Sequence, residues 1–146
     1  VTKSADNSFL DNYLSHLLAR ASHLVSEDFT PVLKKAGIDR GRWRILAALS
    51  DVGEMTIGTL AKAVLMKQPT LTKILDRMEG EDLVKRHNAP NDRRSILVRI
   101  TDRGRDMISD LLVKSKEHEV QILRSYSTEE EEVLKRVLRT LIERME

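Results

Sequence analysis

Apolar residues early in the chain, Leu10, Leu14, Leu17, Leu18, Ala21, Leu24 and Val25, return at the spacing of one helix face. That pattern predicts a long amphipathic helix over about 9–29, with Thr30 and Pro31 disturbing its end. Gly37 closes a turn, and Asp39 is the expected N-cap of a second helix carrying Trp43, Leu46 and Leu49, which Asp51 to Gly53 stops. Thr56 caps a short third helix with Leu60, Ala61 and Val64 inward, and a brief link through Met66 and Lys67 leads to Pro69, which suits a first helical turn. In the fourth helix Leu71, Ile74, Leu75 and Met78 make the buried stripe, so Thr70, Lys73 and Arg77 project from the other side. After Leu83 the period drops to 2. Val84 and Arg86 alternate with Lys85 and His87, then Ile96, Val98 and Ile100 with Leu97 and Arg99, which predicts two strands around an Ala-Pro-Asn-Asp-Arg-Arg turn. Thr101 caps a fifth, long helix to about Leu123, and Ser127 to Glu130 is a capping-box pattern opening a last one. That last helix is expected to bury Val133, Leu134, Val137, Leu138, Leu141, Ile142 and Met145.

Length changes this picture little: 146 residues with 40% hydrophobic content fit one domain. The absence of cysteine excludes disulfides, thiolate metal sites and thiol redox chemistry, and makes the cytoplasm the expected compartment. No apolar run approaches a membrane span, no secretory leader opens the chain, and a start at Val1 without Met suggests a trimmed N-terminus. Charge matters more. The net +2 hides an uneven distribution: residues 67–105 hold ten Lys/Arg against six Asp/Glu, and residues 106–146 hold seven against ten. A basic middle beside an acidic end fits one region meeting a polyanion.

Two short helices joined by a tight link form a helix-turn-helix, whose second helix presents its first turns to base edges in the major groove. The hairpin that follows makes it winged, and places Arg93 and Arg94 at or beside the tip, near an adjacent minor groove whose negative potential attracts arginine. Asp92 is expected to pair with Arg94 or brace the turn. Lys85, Arg86, Arg99 and Arg103 are expected along the sugar-phosphate track. On the fourth helix Lys73 and Arg77 are candidate DNA contacts, while Gln68, Thr70 and Thr72 either read bases or merely cap and solvate. Asp76 reads as an ion-pair partner rather than a base reader.

Thr59-Leu-Ala-Lys62, the run Thr70 to Glu79, Leu83-Val-Lys-Arg86, and above all the wing run Asp92 to Gly104, with its Asp-x-Arg and Val-x-Ile-Thr-x-x-Gly patterns, resemble the MarR (multiple antibiotic resistance regulator) family over nearly the whole length. The resemblance implies a mainly α fold with a small β-hairpin wing: a single domain over 1–146, its winged helix-turn-helix lobe at about 39–104 and dimerisation helices at about 9–29 and 102–146. It implies a homodimeric transcriptional regulator, as a rule a ligand-responsive repressor, on a pseudo-palindromic double-stranded DNA operator, with Arg94 as the minor-groove residue. Asp82 departs from it, standing where the family usually has Gly, so either Gly80 stops the recognition helix or the exit bends differently. The dimer also follows from the wide apolar stripes of the terminal helices, which one winged lobe is too small to cover.

By the same resemblance a small lipophilic or phenolic anion is the implied ligand, with His16, Arg20 and Trp43 as its candidate contacts. Without cysteine, the thiol-based peroxide-sensing branch of the family does not apply. His16 and His23 share a face two turns apart but lack further ligands at metal spacing, so no metal and no cofactor is expected. Nor is an enzyme: no nucleophile with its base and no phosphate-binding Gly loop stands at recognisable spacing. The competing reading is a winged-helix protein-interaction module without sequence-specific DNA binding.

Overall fold

The computed structural model describes residues 9–146, which fall into two compact units, one running to Val113 and the other Lys114–Glu146. In chain order the elements are α1 (Phe9–Asn12), α2 (Leu14–Ala36), α3 (Arg40–Val52), β1 (Glu54–Thr56), α4 (Ile57–Ala63), α5 (Gln68–Gly80), β2 (Val84–Ala89), β3 (Asp92–Ile100), α6 (Asp102–Ile122) and α7 (Thr128–Met145). The helices of the predicted architecture are present, and three of their caps form as their chemistry dictates. Asp39 accepts the Arg42 N–H at 2.8 Å, Thr56 accepts the Thr59 N–H at 3.2 Å, and Ser127 and Glu130 exchange both bonds of a capping box at 3.1 Å.

Two departures concern the first helix. It breaks at Tyr13, which separates α1 from α2, and α2 then runs through Pro31 to Ala36 rather than ending near residue 29. Proline inside a helix costs about 3 kcal/mol. Burial of Phe29 and Leu33 on the same stretch offsets that, since each fully buried side chain of this size stabilises by about 1.5–3 kcal/mol. The helix ends where Gly37, at φ 73°, takes the left-handed position: its N–H bonds Lys34 O and that of Ile38 bonds Leu33 O.

The sheet has three strands, not two, in the order β1-β3-β2 and antiparallel throughout. β1 is only three residues long; it pairs Glu54 with Arg99, Met55 with Val98 and Thr56 with Leu97, and so ties the segment before α4 to the wing. Around this sheet and α3 to α6 lies the core, with Ile45, Leu46, Leu49, Leu60, Leu71, Leu75, Met78, Val84, Val98 and Ile108 fully enclosed.

The exit of α5 resolves the question raised by Asp82. Gly80 is the last helical residue, Glu81 caps, and Asp82 itself adopts the left-handed conformation at φ 59°. The Asp82 N–H bonds Glu79 O at 3.1 Å and the Leu83 N–H bonds Met78 O at 2.9 Å, with Leu83 and Met78 both buried. This is the Schellman arrangement built on a residue that favours it less than glycine does. The wing's far end is pinned to the same place: Thr101 donates its hydroxyl proton to Asp82 O at 2.6 Å and accepts the Gly104 N–H at 3.0 Å. A side chain at Gly104 would collide with the Leu83 carbonyl, so only glycine permits this approach.

Within the single chain α7 does not bury the stripe expected of it. None of its residues is buried within the chain, and Val133, Leu134, Val137 and Ile142 are about half exposed (48%, 49%, 50% and 55%). No helix among the described residues is long and apolar enough to cross a membrane.

Candidate nucleic-acid interface

α4 and α5 are joined by a turn in which Leu65 takes a left-handed conformation, φ 59°, so that its N–H reaches Lys62 O and the Met66 N–H reaches Ala61 O. This tight reversal leaves α5 seated on the core by Leu71, Leu75 and Met78. By 100° steps the opposite face carries Thr70, Lys73 and Arg77, all exposed, while Gln68, also exposed, opens the helix half a turn round from Arg77. Thr72 is half-buried and stands off that face.

Arg93 and Arg94 lie where the β2–β3 register shifts, between the pairs Asn88–Ile96 and Ala89–Asp92, so the alternation that aims Val98 and Ile100 into the core does not extend to them. Both arginines are exposed, and among the described residues no ion pair holds either of them, nor Lys73 or Arg77. Asp92 braces the turn by accepting the Arg94 backbone N–H at 2.9 Å, the second of its two expected roles.

Other cations nearby are occupied. The Arg86 guanidinium, expected along the phosphates, reaches Asp76 at 2.6 Å and Glu79 at 3.0 Å on α5, and its backbone N–H also bonds Glu79 at 3.1 Å. Burial opposes the charge on Arg86, yet these hydrogen bonds outweigh it and hold the group above the ordinary arginine range. Asp76 is thus the ion-pair partner it was expected to be. The signal for Arg86 was its parity with Val84, which places both on the inward face of β2. Glu54, on the strand that sequence patterning missed, takes Arg99 at 3.2 Å and His87 at 3.1 Å on one oxygen. Lys85 stands exposed, paired across the sheet with Arg99.

The ligand candidates do not converge on a described cavity. Trp43 is half-buried, its ring 5.8 Å from that of Phe29 and packed on the core, while His16 and Arg20 lie on the first half of α2. A cavity of about 620 Å³ opens beside the end of α2 instead, lined by residues that include Thr30, Lys34, Asp39, Arg40 and Arg42 and by none of those three. Among the described residues no three His, Asp or Glu gather in a way that would hold a metal ion.

The model of the MarR family matches residues 38–96, the segment that holds α3 to α5 and most of the wing. The HTH-type transcriptional repressor IacR of Pseudomonas putida is 33% identical over 101 residues, 69% of this chain and 60% of that protein, so the match spans under two thirds of the repressor's length. Among solved structures, the MarR family transcriptional regulator SPO1453 from Silicibacter pomeroyi DSS-3 is 34% identical and superposes with a TM-score of 0.83 over 95% of this chain and 99% of that one. NadR in complex with 4-hydroxyphenylacetate is 29% identical, with a TM-score of 0.78 over 85% and 88%.

Proposed function

Because the chain belongs to the MarR family of transcriptional regulators, we propose that it is a homodimeric repressor that sets α5 of each subunit in a major groove and each wing in the flanking minor groove. The observation that carries this is the sorting of cations around α5. Those facing outward on the helix and the wing tip, Lys73, Arg77, Arg93 and Arg94, hold no carboxylate among the described residues, while Arg86 and Arg99 do. Unpaired guanidiniums at a strand tip and an unpaired stripe on a helix suit a polyanion. Lys73 and Arg77 meet the major groove, with Gln68 and Thr70 at the first turn beside base edges; Arg94 enters the minor groove, and Lys85 and Arg93 meet phosphates. Half-buried Thr72 and braced Asp92 support rather than read.

Apolar residues exposed on a single chain supply the reason for a dimer: Leu14, Leu17 and Val25 on α2, and separately Leu134, Val137 and Ile142 on α7, are covered by the second copy. Two-fold symmetry then places the two recognition helices about 34–36 Å apart, one turn of DNA. The trigger is a small phenolic anion, in keeping with the NadR complex, contacting His16, Arg20 and Trp43 and releasing DNA by favouring another lobe spacing. A panel of such anions that leaves the melting temperature unmoved would sink the ligand reading.

The DNA reading is tested by titrating a selected operator duplex at fixed salt. Lys73→Ala and Arg94→Ala each weaken binding, by about tenfold for the loss of one good groove contact. Unchanged affinity in both variants would overturn the assignment.

A further inference from the structure

Asp76 and Glu79 sit on the flank of the helix that meets the operator in the reading above. By 100° steps Asp76 lies only 60° from the Lys73 position, and its side chain is 61% exposed. The Asp76 carboxylate there would face the phosphate backbone with like charge, and Glu79 lies a further 60° round the helix, 120° from Lys73. Arg86 prevents this from a different element. Its planar fork bonds Asp76 at 2.6 Å and Glu79 at 3.0 Å, its own side chain is only 23% exposed, and the Arg86 backbone N–H bonds the same Glu79 oxygen that the fork holds. The head group is therefore turned toward α5, with two of its directions taken by carboxylates.

We propose that Arg86 is a positioning residue for operator binding: it masks Asp76 and Glu79 from the DNA and locks β2 to the flank of α5, rather than touching a phosphate itself. This rests on the reading of α5 as the DNA-facing helix. Masking makes the carboxylates nearly silent while Arg86 is present and repulsive once it is gone, which a direct phosphate contact or an independent charge would not do.

A double-mutant cycle on operator affinity at fixed salt decides. Arg86→Gln weakens binding by about tenfold or more, as loss of one partner in a hydrogen-bonded charge network does. Adding Asp76→Asn and Glu79→Gln to that variant recovers most of the loss, whereas the same two changes beside an intact Arg86 shift affinity by a several-fold smaller factor. An equal factor in both backgrounds, or a triple variant no tighter than Arg86→Gln, overturns the proposal. Should Arg86→Gln fail to fold in a thermal melt, Arg86→Lys serves in its place: a lysine keeps the charge but lacks the fork, and an intermediate loss is expected. Wild-type affinity for Arg86→Lys would overturn the masking geometry. Failure of the interface reading is distinguishable, because Lys73→Ala and Arg94→Ala would then also leave affinity unmoved.

Discussion

The winged lobe and the last helix are built from the same kinds of residue and end in opposite states. In the lobe, Leu46, Leu49, Leu71 and Leu75 are enclosed completely by neighbours from the same chain. In α7, Leu134, Val137 and Ile142 recur with equal regularity and stay half exposed, and no residue of the helix is buried. Periodicity therefore identifies a face that wants covering; it does not say which molecule covers it. The lobe is a finished structure within one chain, whereas α7 keeps an apolar face half exposed among the described residues.

Breaking the lobe gives the largest effect. Leu75→Ala empties a fully enclosed site and lowers unfolding free energy by about 2–5 kcal/mol, measured by chemical denaturation. Val137→Glu tests the other side: a carboxylate on the face that we propose a second copy covers raises the dimer dissociation constant by about a hundredfold or more, read by sedimentation, and leaves the lobe's denaturation unaltered. A dimer as tight as the wild type would place the covering partner elsewhere. The smallest effect sharpens the lobe's own account. Asp82→Gly relieves a left-handed aspartate worth about 1 kcal/mol and adds chain entropy to the unfolded state of nearly the same size, so the melting temperature rises by a few degrees at most. A clear fall would mean that the Asp82 side chain holds the turn in some further way.

Legibility in the sequence followed the range of the interaction. Asp39, Thr56 and Ser127 were readable as caps because each serves a backbone N–H three residues on. The wing strands were readable from their alternation. β1 was not: three residues carry no alternation, and Glu54 to Thr56 becomes a strand only because the edge of β3 lies beside it. The passage of α2 through Pro31 depends on what Phe29 and Leu33 pack against, which is tertiary information. Asp82 was flagged as anomalous, yet whether it or Gly80 bends the chain was decided by the pinch among Asp82, Leu83, Thr101 and Gly104. At the candidate interface, the exposed stripe of Lys73 and Arg77 and the exposure of the wing arginines were foreseen. The capture of Arg86 was not, because a list of basic residues gives no hint of which ones already hold a carboxylate.

One measurement tests the central claim most directly: the affinity of the intact chain for a selected pseudo-palindromic duplex against a scrambled duplex of equal length, at one salt concentration. A two-headed winged regulator binds the selected site about 10³-fold tighter or better. Equal affinity for the two duplexes would contradict it and leave the basic lobe as a surface for some acidic protein.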